Sequence, residues 1–194
     1  MIIAITPEKI VQNETEVINA LFQEGLDLLH IRKPFINQDE MMDFIQKIDS
    51  KFHHRLVVHS HYDLMKDFNI SRLHFREIDR KNNLFKSFPD KTISTSVHDI
   101  ESFNELNEEW KYSFISPAFP SISKKGYGEN STILSDIKSR NNSDVKLIAL
   151  GGINEKNINE AFESGADGAA LLGAIWESNE PVNIFKKCRQ NVLS

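Results

Sequence analysis

The 194-residue sequence predicts a single-domain α/β protein, a closed (β/α)₈ (TIM) barrel spanning residues 1–194. Three observations predict it. Eight short apolar runs recur along the chain, and none has the strict alternation of a half-exposed strand. Near-continuous apolar runs are what parallel strands look like when both faces are covered. Longer amphipathic segments separate the runs, and eight strands alternating with helices imply closure. The rival is an open doubly wound sheet, which needs fewer strands and usually opens on a Gly-rich turn. The first turn here, "TPEKIVQN", has no glycine.

In chain order the expected strands are "IIAIT" (2–6), "LLHIR" (28–32), "RLVVH" (55–59) and "RLHF" (72–75), then "TISTSV" (92–97), "YSFIS" (112–116), "KLIAL" (146–150) and "GAALL" (168–172). Between the first two, "NETEVINALFQEG" places Val17, Ile18 and Leu21 on one helical face, and Gly25 closes the helix. "NQDEMMDFIQKIDSKF" opens on an Asn/Asp cap and carries Met41, Phe44, Ile45 and Ile48 at helical spacing. "REIDRKNNLFKSF" is a weak helical segment, and "DIESFNELNEEW" is short and acidic. "NEKNINEAFESG" runs from Asn154 to Gly165. No linker, repeat or low-complexity stretch interrupts the series.

Composition narrows the function classes. Hydrophobic residues make up 40% and charged residues 26%, ordinary for a globular protein able to bury a core. A net charge of −5 with mixed signs argues against nucleic acid as a partner. One cysteine, Cys188, excludes an internal disulfide and a cysteine-based zinc site. "MIIAIT" is too short for the apolar core of a signal peptide, and no run approaches the length of a membrane span. A cytoplasmic protein without a membrane partner is expected.

In such barrels the working face is the C-terminal end of the strands. Five of the seven histidines, 30, 59, 61, 74 and 98, fall on or near those ends, together with Arg32, Lys33 and Arg76. For any one of them a half-buried core or rim position is the ordinary reading; together they predict a basic mouth. His59 and His61, two apart on a strand, would aim their rings the same way and could bind zinc, but no third ligand stands out and no His pair has i, i+4 spacing. Gly151–Gly152 after the seventh run and Gly173 after the eighth leave backbone N–H groups open, and a phosphate between those two loops is expected. Tight βα turns alone would also explain these glycines. The loop "SPAFPSISKKGYG" crowds Ser121, Ser123, Lys124 and Gly126 into one place, which suits a second anion grip.

These blocks resemble the thiamine phosphate synthase and TenI family over nearly the whole chain. "LLHIRKP" is similar to the family's Val-Gln-Leu-Arg-Glu-Lys, and "LVVHSHYDL" to Ile-Ile-Asn-Asp-Arg-x-Asp-Leu. "LHFREID", "STSVH" and "ISPAFPSISKKGY" resemble the next three strand blocks, and "ALGGIN" with "ESGADGAALLGAI" the last two. The resemblance implies an enzyme of thiamine biosynthesis that joins a hydroxymethylpyrimidine diphosphate to a thiazole phosphate and releases pyrophosphate. It gives Lys124, Ser121, Ser123 and Ser96 to the diphosphate, and Gly152, Leu172 and Gly173 to the thiazole phosphate. Arg32 is retained, and His30 and His59 stand where the family has glutamine and asparagine. Asp79 matches one of two Mg²⁺ carboxylates, while the other has become Ser60 and a diphosphate-gripping lysine has become Pro34. The implied Mg²⁺ site is therefore weakened. Lys33, beside that missing lysine, would point to the other face of a continuing strand. Lys124, Arg32, His30 and His59 are the expected catalytic set, with the mouth histidines as acid/base groups near neutral pH. Two alternatives stay open: a TenI-type thiazole phosphate tautomerase, whose strand-6 histidine is replaced here by Pro117, and a non-catalytic binder of thiazole or thiamine phosphate. A homodimer also stays open.

Overall fold

The computed structural model describes residues 1–120, 126 and 128–193. All eight expected strands form: β1 Ile2–Ile5, β2 Leu28–Ile31, β3 Leu56–Val58, β4 Arg72–Phe75, β5 Thr92–Val97, β6 Trp110–Ile115, β7 Lys146–Leu150 and β8 Gly168–Leu171. They are parallel, neighbour each other in sequence order, and close through β1 pairing with β8. The open-sheet alternative is thereby removed.

Strand alternation divides the apolar residues into two cores. Ile3, Ile5, Leu28, Val57, Tyr112, Phe114, Ile148 and Ala170 pack together inside the barrel. Their alternates, among them Ala4, Leu29, Ile31, Val58, Leu73 and Ala169, join the helices in a separate outer core. This is why the runs lack a polar alternation: both faces of each strand are covered.

The outer ring comprises α1 Glu14–Gln23, α2 Gln38–Gln46, α3 Met65–Phe68, α4 Glu77–Lys81, α5 Ile100–Asn104, α6 Ile133–Asp136, α7 Ile158–Glu163, α8 Gly173–Trp176 and α9 Pro181–Leu193. The cap expected for α2 is present: the Asn37 side chain accepts from the Glu40 N–H at 3.0 Å, and Glu40 accepts from the Asn37 N–H at 2.8 Å. Gly25 ends the α1 turn with φ 94°, as a left-handed closing position demands. The sequence reading had no helix at 181–193. There Pro181 opens α9, and Phe185 and Cys188 bury their side chains against the barrel's outer core. Among the described residues no helix is long and apolar enough to cross a membrane.

One charged contact ties the first loop to β2. The Lys33 ammonium is fully buried and donates to the carbonyls of Pro7 (2.7 Å) and Lys9 (2.9 Å) and to the Glu14 carboxylate (2.8 Å). Lys33 thus faces the α1 and α2 side rather than the mouth, although β2 ends at Ile31, and it does not replace the lysine absent at Pro34. Burial raises the Glu14 pKa and lowers that of Lys33, so each charge depends on the other. Lys33→Met leaves Glu14 buried without its cation, and a loss of about 3–5 kcal/mol is expected in urea unfolding. The double variant Lys33→Met/Glu14→Gln should recover a large part of that loss; additive losses in the cycle would refute the coupling.

Candidate active site

The inward residues near the C-terminal ends of β2 to β6 build a polar floor. His30 comes from β2, His74 from β4, Ser94 and Ser96 from β5, and Tyr112 from β6. His59 follows β3 directly and stands half-buried at the edge. Their polar atoms are linked. His30 Nε2 lies 2.6 Å from the Tyr112 hydroxyl, and His30 Nδ1 lies 2.9 Å from His59 Nε2. His74 Nδ1 and Nε2 each lie 3.0 Å from a hydroxyl, Ser94 and Ser96 respectively. The rings of His59 and His74 stack with centroids 4.3 Å apart. A neutral imidazole has one donor and one acceptor nitrogen, so the network can be satisfied without a charge.

The environment enforces that neutral state. Burial holds the pKa values of His30 and His59 well below the ordinary imidazole range, reinforced by the other imidazoles and, for His59, by Arg32. Burial first and Arg32 second push His74 down to about 3. Charged groups sit further out. Arg32 donates to Glu8 at 2.5 Å, and Arg76 grips Asp79 through two bonds, of 2.8 and 3.1 Å. His98 donates to the Ser116 carbonyl at 3.1 Å. Between floor and rim lies a pocket of about 370 Å³, lined by Arg32, His59, His74, Arg76, Ser96 and His98 among others.

The structure thus brings Arg32, His30, His59 and Ser96 together and puts Asp79 on the adjoining rim. His61 departs from expectation. β3 ends at Val58, the backbone at His61 is left-handed (φ 54°), and its ring donates to the Ile36 carbonyl at 3.1 Å. The rings of His59 and His61 therefore do not pair. Asp79 is engaged by Arg76, whose guanidinium holds its carboxyl below the usual range. Gly152 carries φ 64°, and a Cβ there would meet the Pro120 carbonyl at 2.2 Å. Its lack of a side chain therefore makes room for the segment leaving β6. The same segment is stitched on by Ala118 N–H to Leu150 O (2.8 Å) and Phe119 N–H to Gly151 O (3.0 Å). Leu172 and Gly173 stand half-buried after β8. Ser121, Ser123 and Lys124 lie outside the described residues.

Ser94 and Tyr112 were missed by sequence reasoning. Strand parity could have found them: they stand two residues before the inward Ser96 and Phe114.

A family model for thiamine monophosphate synthase matches residues 2–175. The chain belongs to the thiamine monophosphate synthase family. It is 24% identical over 181 residues to the thiamine-phosphate synthase of Clostridium tetani, covering 90% of this chain and 85% of that one. The thiamine-phosphate synthase of Staphylococcus haemolyticus is 24% identical over 174 residues, covering 84% and 82%. Among solved structures, thiamine phosphate pyrophosphorylase from Bacteroides thetaiotaomicron superposes with a TM-score of 0.79 at 26% identity, over 98% of this chain and 96% of that one. The Pyrococcus furiosus pyrophosphorylase gives 0.82 at 18% identity, over 99% and 95%, a likeness of fold.

A neutral floor has a pH signature. Unfolded imidazoles take up protons near pH 6.5, whereas the folded floor resists until far lower, about 3 for His74. In that interval the unfolded state binds more protons, so stability is complete above about pH 6.5 and falls as the pH falls. The slope should reach about 1.4 kcal/mol per pH unit for each such histidine. Thermal unfolding of wild type and His74→Gln between pH 5 and 8 checks this. The variant should show the shallower acid loss, and parallel curves would exclude a neutral His74.

Proposed function

We propose that the chain is a thiamine-phosphate synthase, a transferase joining a hydroxymethylpyrimidine diphosphate to a thiazole phosphate with release of pyrophosphate. The observation that carries the reading is the family match over residues 2–175, on a barrel whose mouth presents cationic and hydroxyl groups around one pocket. The named relatives point to the synthase. The TenI-type reading lacks support at its strand-6 histidine, because Pro117 stands there.

In this reading the diphosphate lies across the rim. Arg32 and Ser96 face it from the pocket wall, and Lys124, Ser121 and Ser123 grip it from the loop after β6. Donors preset around departing pyrophosphate stabilise the transition state more than the ground state. The thiazole phosphate takes the backbone amides near Gly152, Leu172 and Gly173. His59 faces the pocket and offers one ring nitrogen to the pyrimidine, while His30, buried behind it, fixes which nitrogen carries the proton. His59 is thus the catalytic candidate and His30 a positioning residue. Phosphorylated substrates do not cross membranes unaided, which places the enzyme with them in the cytoplasm.

Mg²⁺ is the metal that the family resemblance implies, and the residues present do not fit it. Mg²⁺ needs oxygen ligands in near-octahedral geometry. Asp79 is occupied by Arg76, Ser60 brings no charge, and the floor offers imidazoles and neutral hydroxyls with no carboxylate.

Purified protein given both substrates should release pyrophosphate, and the gene should rescue a strain lacking thiamine-phosphate synthase. Lys124→Ala should lower turnover by about 100-fold, in the range typical of removing one transition-state donor, with thiazole phosphate binding nearly unchanged. Equal loss of both ligands would make the loop a general structural element. No pyrophosphate and no rescue from the wild type would overturn the reading.

A further inference from the structure

His30, His59 and His74 converge from three consecutive strand ends, and one ring nitrogen of each lies within 4.8 Å of the others. We propose that these three imidazoles form a binding site for a divalent cation of the zinc class, with one coordination position open to the mouth pocket. The site belongs to the free protein and needs no substrate, so it stands or falls separately from the synthase reading.

The donor type is the first argument. Three imidazoles with one position left over is a recurring zinc arrangement, and the three convergent donors are nitrogens, which suit zinc rather than Mg²⁺. Neutral imidazole is the form that ligates a metal, and every hydrogen bond of the three rings can be made by neutral rings.

Geometry is the second. Metal–nitrogen bonds of 2.0–2.1 Å in a tetrahedron put the nitrogens about 3.3 Å apart. His30 Nδ1 and His59 Nε2 are already 2.9 Å apart, so a small opening admits the ion between them. His74 must close the remaining distance and turn out of its stack on His59, because ring lone pairs lie in the ring plane and the two planes are only 27° apart.

The supporting partners are the third argument. A metal-bound histidine usually donates its other ring N–H to a fixed acceptor. With Nδ1 on the ion, His30 Nε2–H points at the Tyr112 oxygen 2.6 Å away. Whichever nitrogen of His74 turns to the ion, the other keeps a serine hydroxyl at 3.0 Å. Binding requires the proton of His59 on Nδ1 and that of His30 on Nε2, so whichever ring holds the proton between them in the free protein moves it to its far nitrogen, without net proton release.

The surrounding charges permit the ion. Arg32 is the cation that acts on both His59 and His74, and it is paired with Glu8. Asp79 acts on His74 with the opposite sign, and its partner Arg76 and His98 complete the pocket wall. The open position faces that pocket, where water or a phosphate oxygen would complete the coordination.

The test is a Co²⁺ titration of chelator-treated protein, followed in the visible region. One equivalent should develop the intense bands of four-coordinate Co²⁺. Zn²⁺ should displace it and excess Mg²⁺ should not. His59→Ala and His74→Asn should each weaken Co²⁺ binding by at least about 100-fold, since removing even a supporting partner costs 10–100-fold. His54→Ala, at an exposed histidine away from the site, should bind as wild type does. His59 stands at the edge of the floor, so its variant remains informative if His74→Asn fails to fold. Absence of the bands in wild type, their survival in His59→Ala, or displacement by Mg²⁺ would each overturn the proposal.

Discussion

A closed parallel barrel must fill its own interior, and strand alternation decides which side chains do so. Toward the N-terminal side the choice is apolar, with Ile3, Leu28 and Val57. Elsewhere in the same interior it is polar, with His30, His74, Ser94 and Tyr112 buried. Each buried donor or acceptor left alone costs about 1–3 kcal/mol, so this group is tolerable only as a connected network. The distances of 2.6 to 3.0 Å along it meet that demand. Everything at the mouth rests on this floor: His59 is held by His30 and stacked on His74, and Ser96 is held by His74.

Charge is arranged by the same constraint. The floor is hydrogen-bonded but neutral, and the ions stand on the rim, where Arg32 and Arg76 keep contact with water and with their carboxylate partners. An anionic ligand entering the pocket therefore competes with Glu8 for Arg32 and with Asp79 for Arg76. Lys33 and Glu14 are the case in which a full ion pair is buried. There the ammonium satisfies two loop carbonyls as well as the carboxylate, which ties Pro7, Lys9 and Glu14 to the chain just beyond β2.

The strands were legible because a doubly covered strand writes a continuous apolar run, and all eight runs became strands. Residues two apart on a strand share a face, which made a polar mouth readable from Arg32, His74, Ser96 and their neighbours. That rule failed at His61, because β3 stops at Val58 and a left-handed residue turns the ring elsewhere. The helix α9 was passed over although Val182, Phe185 and Cys188 recur at helical spacing. Parity puts Lys33 on the face opposite the mouth, but its partners could not be read: Glu14 is nineteen positions away, and only the folded loop brings its carboxylate to the ammonium. The convergence of His30, His59 and His74 was hidden for the same reason. Three strands contribute one ring each, and no local spacing records that they meet.

Four departures from the pattern that the resemblance implies lie close together. His30 and Pro34 belong to the end of β2, and His59 and Ser60 to the end of β3, so four changes fall on two adjacent strands. Their chemistry runs in one direction. An amide, a lysine, a second amide and a carboxylate have given way to two imidazoles, a proline and a hydroxyl. Oxygen donors and mobile charge are lost from that side of the mouth, and neutral nitrogen donors are gained. A hard cation loses its partner at Ser60, while a softer one gains two ligands that already lie 2.9 Å apart, with His74 of the next strand as the third. Tyr112 holds the far nitrogen of His30, and Ser94 and Ser96 hold the two nitrogens of His74, so the rings on this wall are already fixed by hydroxyl partners.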